Sequence, residues 1–302
     1  MPNVFISTSS FAEYDASPLK LLKDAGVDVQ VNPYRRKLTP DECLRLYKDI
    51  DGLIAGTEAL TAEILKSAKN LRVISRCGVG MDNIDLAVAK RQGIKVFNTP
   101  SSPAIAVAEL TLGLILALLR HVPRMDRDIR DGKWQKRMGN LLQGKRVGII
   151  GFGRIGQKVA ELVLGLGAQV AYCDPAVNKA AYTPVSLDEL LTQSDVVSLH
   201  VSGGENDAPL LGYKELRRMR KDSWLINCAR GGVVDEAALC QVLQEGWLSG
   251  AAVDVFEEEP YAGSLARLDN VILTPHIGSY AIESRVEMEV QAVKNLIEGL
   301  KR

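Results

Sequence analysis

Residues Val147–Asp174 read VGIIGFGRIGQKVAELVLGLGAQVAYCD, and the spacing of those letters decides the fold. An apolar run ends at Gly151, Gly153 and Gly156 follow, a helix-forming stretch comes next, and a second apolar run closes on Asp174. A lone G-x-G-x-x-G is a weak signal, but between a strand and a helix, with an acid about 20 residues on, it is the context that binds a dinucleotide. Gly151 permits the tight turn, Gly153 lets a pyrophosphate approach the backbone, and Gly156 lets helix and strand pack closely. N–H groups near Arg154 and Ile155 then face the phosphates at the positive end of the helix dipole. Asp174, 23 residues after Gly151, is placed to accept hydrogen bonds from a ribose diol and to repel a 2′-phosphate. The expected cofactor is therefore NAD rather than NADP.

Working outward, KRVGIIGFGRIG, AQVAYCD, DVVSLHV, SWLINCA, SGAAVDV and VILTPH are strand-like runs separated by helical patterns. That rhythm predicts a parallel sheet with crossover helices. Upstream, VFIST, VDVQV, DGLIAG, RVISRC and IKVFN repeat it, with helices expected from about Ser17, after Pro40, at Thr61 and at Asn83. This first series closes near Thr99. Ser102 then offers a cap and Pro103 a first helical position for a helix apolar on most sides up to Leu119, which points to a subunit contact. The last amphipathic run, Glu283 to Leu300, has no strand of its own to serve and is expected to cross back to the first domain. The fold class is α/β, with two doubly wound parallel-sheet domains: residues 1–99 with 281–302, and residues 100–280.

Bulk properties narrow the function classes. The 302 residues include 37 Lys plus Arg and 37 Asp plus Glu, and zero net charge gives no electrostatic reason to expect nucleic acid or a membrane as partner. No basic apolar leader opens the chain, so the expected compartment is the cytoplasm. Five cysteines without C-x-x-C spacing indicate neither a disulfide framework nor a metal site. Any acid–base histidine must be His121, His200 or His276, the three present.

In open α/β sheets ligands lie at the carboxyl ends of the strands, and three such ends carry unusual residues. LINCARGGVVDE offers Arg230 at a bend before two glycines, DVFEEEP sets Glu259 before Pro260, and TPHIGS places His276 after a proline. An arginine so placed can grip a carboxylate with two parallel hydrogen bonds. Imidazole suits proton transfer near neutral pH, and a carboxylate beside it stabilises its charged form. Glu257 and Glu258 read as solvated charges, His121 as a surface or capping residue, and His200, at the same sheet edge as the cofactor, as a structural residue or one packing near the nicotinamide ribose.

With SRCGVGMDNID and GFGRIG, these segments resemble the D-2-hydroxyacid dehydrogenase family, five motifs in order along essentially the whole chain. The resemblance implies a flavodoxin-like substrate domain and a Rossmann NAD-binding domain. It further implies that Arg230 binds the substrate carboxylate and polarises the carbonyl, that His276 is the acid–base group with Glu259 as its partner, and that Asp254 holds the nicotinamide carboxamide. Gly78, Val79 and Gly80 would offer backbone N–H groups to the substrate carboxylate, and a homodimer through the NAD-binding domains is implied. Glu259 argues against formate dehydrogenase chemistry, where the resemblance puts a glutamine. Ser202 and Gly204 stand where the family usually shows proline and threonine, which weakens any cofactor assignment there. The likeness is to members without a carboxy-terminal regulatory domain.

Arg76, Lys136 and Arg137 look like positions lining the phosphate pocket of phosphoglycerate dehydrogenases, so 3-phosphoglycerate is the leading expectation. Glyoxylate, hydroxypyruvate or another 2-keto acid is the alternative, since LIAGTEALT lacks an arginine that several phosphoglycerate enzymes carry. A reading of another class is an NAD-sensing corepressor-type binding protein of the same fold.

Overall fold

The computed structural model describes residues 1–100, 102–177, 181–202 and 208–301. They form two compact units, one of residues 1–103 with those from Ser279 onward, the other Ala104–Gly278.

In the first unit β1 (Asn3–Ile6), α1 (Ser17–Asp24), β2 (Asp28–Val31), α2 (Pro40–Leu46), β3 (Gly52–Ala55), α3 (Ala62–Ser67), β4 (Val73–Arg76), α4 (Leu86–Arg91) and β5 (Lys95–Phe97) alternate. The sheet is parallel with order β2-β1-β3-β4-β5, a doubly wound arrangement of the flavodoxin kind. Alternate side chains go to opposite layers. Phe5, Leu53 and Ile74 pack with Tyr47, Ile64 and Val88, while Val4, Ile6, Ile54 and Val73 pack with Leu22, Met288, Val293 and Leu296. The second layer includes the last helix, α11 (Ile282–Leu300), whose Met288, Ala292, Val293 and Leu296 form its buried stripe. Both faces being covered, the strands β1 and β3 read as nearly continuous apolar runs.

The second unit contains α5 (Pro103–Leu119), α6 (Val122–Arg130), β6 (Arg146–Ile150), α7 (Arg154–Gly165), β7 (Gln169–Cys173), β8 (Thr183–Pro184), α8 (Leu187–Gln193), β9 (Val196–Leu199), α9 (Tyr213–Arg218), β10 (Trp224–Asn227), α10 (Glu236–Gln244), β11 (Gly250–Val253) and β12 (Val271–Leu273). Its parallel sheet runs β12-β11-β10-β9-β6-β7-β8. Strand order reverses between β6 and β9, and that switch point opens the crevice in which such sheets bind dinucleotides. Strands β6, β9, β10 and β11 are buried along almost their whole length.

Local chemistry sets the element ends. Thr39 caps α2 in a capping box with Glu42, and Asp235 caps α10 by accepting from the Ala238 N–H, satisfying donors the helices leave open. One expected start moves. The fourth helix begins at Leu86, not Asn83, because the Asp85 carboxylate caps the Val88 N–H while Asn83 and Ile84 pair with the segment at Leu60. Helix α6 and the two-residue edge strand β8 give no comparable sequence signal; α6 follows α5 after a bend at His121, which has φ +53°.

Candidate active site

Strand β6 ends at Ile150, and Gly151 turns the chain with φ +88°; a Cβ there would lie 2.6 Å from the His200 carbonyl oxygen. At Gly156 a Cβ would stand 2.2 Å from the Gly151 oxygen, whereas Gly153 faces open space. Two glycines are thus required by close backbone packing and the third leaves room for a phosphate. Gly153 is also the N-cap of α7, and no side chain caps that helix, so its first turn at Arg154 and Ile155 presents backbone N–H groups to an anion. At the end of β7 the Asp174 carboxylate accepts from the Phe152 N–H at 2.7 Å and from the Ala176 N–H at 2.8 Å. The acid is thereby locked to the glycine turn, where a ribose diol would lie. These features fit NAD.

The neighbouring strand ends carry the candidate acid–base residues. Strand β10 leads to Arg230, whose Nη1 donates to the Ala229 carbonyl at 2.7 Å while its own carbonyl accepts from Asn227. Gly231 and Gly232 follow. A Cβ on Gly231 would sit 1.9 Å from the Phe256 carbonyl oxygen, and Gly232 has φ +76°, so the turn after Arg230 lies backbone to backbone against the segment leading to Glu259. That segment leaves β11 through buried Asp254, Val255 and Phe256 and then becomes exposed at Glu257, Glu258 and Glu259. Beyond β12, His276 takes the left-handed conformation (φ +55°) and its Nδ1 lies 3.0 Å from both carboxylate oxygens of Glu259. Oε1 of Glu259 also accepts from the Phe256 N–H at 3.2 Å. With Nδ1–H donating to Glu259, the tautomer is fixed and Nε2 is the atom left for substrate.

The other histidines fall outside this arrangement. His200 follows β9 with Nε2 2.8 Å from the Ser198 hydroxyl, and burial lowers its pKa from 6.5 to about 3. It stays neutral at physiological pH, and its buried Nδ1 has no hydrogen-bond partner among the described residues. Its carbonyl, packed against Gly151, is the part that shapes the cofactor turn. His121 stands at the N-cap position of α6 without a side-chain cap bond. The cysteines are unpaired, and burial raises Cys228 to about 12 and Cys43 and Cys77 to about 11, so these three thiols are inert at neutral pH. No cluster of metal-ligating side chains occurs among the described residues.

Of the residues assigned to substrate from sequence, Arg76, Gly78, Val79 and Gly80 lie in the first unit, and Lys136 and Arg137 in the second. The Gly78 N–H donates to Thr99 Oγ1 at 2.8 Å and to the Arg76 carbonyl at 3.0 Å, so it is already engaged within the unit. Arg76 folds its guanidinium over Gly78 and donates to the Cys77 carbonyl. Val79 is partly exposed and its carbonyl accepts from Asn98. Arg137 is held by Asp128 through Nε at 3.1 Å and Nη2 at 2.9 Å. Ser202 ends the described stretch after β9, and Gly204 lies outside the described residues. Asp254, assigned to the cofactor, is buried, with both carboxylate oxygens bonded to the segment that carries His276. That engagement gave no sequence signal, because the partners are one hydroxyl and two backbone N–H groups 20 to 24 residues away.

A dinucleotide turn, an imidazole–carboxylate pair and an arginine, each following a strand of one parallel sheet, define the class: a pyridine-nucleotide oxidoreductase that moves a proton along with its hydride. A sequence model described as "D-isomer specific 2-hydroxyacid dehydrogenase, NAD binding domain" matches residues 112–278. A hydroxypyruvate reductase of Thermotoga maritima is 39% identical over 272 residues, covering 87% of this chain and 89% of that one. A D-3-phosphoglycerate dehydrogenase of Methanocaldococcus jannaschii is 38% identical, covering 93% of this chain and 55% of its own length. The crystal structure of a Thermus thermophilus protein superposes with a TM-score of 0.92 at 36% identity, over 99% of this chain and 97% of that one. The chain belongs to the D-isomer specific 2-hydroxyacid dehydrogenase family and is an NAD-dependent oxidoreductase.

Proposed function

We propose that the protein interconverts a short unphosphorylated 2-keto acid, hydroxypyruvate or glyoxylate, with its 2-hydroxy acid. NADH, held at the turn of Gly151, Gly153 and Gly156 with Asp174, would supply the hydride when bound. His276, charged against Glu259, gives its Nε2 proton to the carbonyl oxygen as that oxygen becomes an alcohol, and takes it back in the reverse direction. Arg230 grips the substrate carboxylate and polarises the carbonyl, where a planar two-pronged donor outperforms a point charge. Backbone N–H groups at Val79 and Gly80 are assigned the substrate carboxylate through the family resemblance; Gly78 is less suited, being bonded to Thr99.

The single observation behind the substrate choice is the Arg137–Asp128 pair. Of the three cations that sequence offered to a phosphate, one is neutralised by a carboxylate and a second, Arg76, is folded onto its own loop. This departs from the sequence-based preference for 3-phosphoglycerate. That substrate is the second reading, favoured by exposed Lys136 and by the similarity to D-3-phosphoglycerate dehydrogenase. Initial rates of NADH oxidation with glyoxylate, hydroxypyruvate and 3-phosphohydroxypyruvate decide between them. Higher kcat/KM for the unphosphorylated acids is expected, and a preference above tenfold for the phosphorylated one replaces our reading. Turnover with none of them would favour the corepressor-type role, which no observation now supports.

We further propose a cytoplasmic homodimer joined through the NAD-binding unit. Ile105 and Leu116 of α5 are 43% and 37% exposed, and Trp134, Met138 and Leu141 in the segment after α6 are 84%, 94% and 67% exposed. So much uncovered apolar surface in one stretch marks an interaction site. Unpaired thiols suit a reducing compartment. Light scattering should give twice the chain mass; a monomer at micromolar concentration rejects the dimer.

A further inference from the structure

Asp254 directly follows β11 as a buried carboxylate, 1% exposed, whose described partners are all neutral. Oδ1 accepts from the Thr274 hydroxyl at 2.6 Å and from the Ile277 N–H at 2.9 Å, and Oδ2 accepts from the Gly278 N–H at 2.9 Å. These donors flank His276 on both sides. A side chain on Gly278 would crowd the same carboxylate, its Cβ 3.2 Å from Oδ2. Between them His276 adopts φ +55° and donates its own N–H to the Thr274 carbonyl at 2.9 Å.

A non-glycine residue in the left-handed region persists when its surroundings hold it there. Here those surroundings converge on one charged side chain, and hydrogen bonds to an ionised acceptor are shorter and stronger than neutral ones. We propose that Asp254 is a positioning residue for His276, fixing the turn Thr274–Gly278 so that the imidazole meets Glu259. Resemblance gave Asp254 to the nicotinamide carboxamide. A carboxylate has about four acceptor positions, and three bonds already go to this turn, so the larger part of its bonding serves the protein. The proposal rests on the acid–base reading of His276.

The test replaces the acceptor. In Asp254→Asn an amide NH₂ must face a backbone N–H, and the turn loses one of its fastenings. Turnover at saturating NADH should fall by about 10- to 100-fold, the range a misplaced catalytic group costs. The NADH Kd, measured by fluorescence titration, should stay within about threefold of wild type. The His276 imidazole ¹H–¹⁵N resonances should move, which reads the ring's placement whether or not the enzyme turns over. Thr274→Val removes the hydroxyl donor and spares the buried charge, so it decides the matter if Asp254→Asn does not fold. It should lower turnover several-fold at unchanged NADH affinity, with Thr274→Ser restoring it. A rise in NADH Kd of tenfold or more with kcat retained would overturn the proposal in favour of a cofactor contact, as would unmoved His276 resonances. Wild-type turnover in His276→Ala removes the acid–base reading instead, and leaves the resonance test of positioning intact.

Discussion

Two histidines leave the same parallel sheet at its carboxyl edge, and the structure gives them opposite chemistry. His200, after β9, is paired with a serine hydroxyl and held neutral by burial. His276, beyond β12, has a side chain 49% exposed and shares both oxygens of a carboxylate. Position at a strand end makes a residue available to a ligand. What decides its work is whether solvent or a fixed charge can support a proton on the ring.

The comparison breaks most sharply at His276. His276→Ala should lower turnover by about 10² to 10⁴ with NADH affinity intact, while His200→Asn should leave the chemical step unchanged; steady-state rates with fluorescence titration check both. If the two variants lose turnover equally, the contrast fails. Next comes the packing that places Arg230. In Gly231→Ala the added methyl meets the Phe256 carbonyl, and such overpacking costs about 1–3 kcal/mol. Thermal melts should show that loss together with a deep fall in activity. An alanine variant as stable and active as wild type would mean the two turns are not pressed together.

Arg230→Lys should act more mildly, raising KM for the keto acid and lowering kcat, since one point charge replaces a fork. Unchanged kinetics return Arg230 to a structural role. The smallest effect concerns His200. Its folded pKa is lowered from 6.5 to about 3, so between those values the unfolded chain binds a proton that the folded one does not. Stability from this group is full above about pH 6.5 and declines as pH falls toward 3, by at most about 1.4 kcal/mol per pH unit. Denaturant melts from pH 7 to pH 4 should show a shallower acid slope in His200→Asn; parallel slopes would mean the ring takes up its proton in the folded state.

Much of this was legible beforehand because its causes are local. The glycine fingerprint encodes its turn in the φ and clearance each glycine needs: Gly151 has φ +88°, Gly156 packs against the Gly151 carbonyl and Gly153 faces open space. The alternation of apolar strands with capped helices encodes doubly wound parallel sheets. Where a local signal was ambiguous the expectation slipped, as at α4, whose start is set by Asp85 and by pairing at Leu60. Cationic letters near a pocket were less informative still: Arg137 reads as a free cation until Asp128 is seen beside it.

Sequence by itself determined the two-sheet α/β fold and the dinucleotide turn, since residue type and short-range spacing suffice for these, and it marked Arg230, Glu259 and His276 as candidates at strand ends. Only the tertiary structure decided which charges are spent on one another. The Gly231 contact, the engagement of Gly78 by Thr99 and the fastening of the His276 turn by Asp254 each join groups far apart in the chain. Such contacts depend on strand order and register, which no local pattern of letters contains.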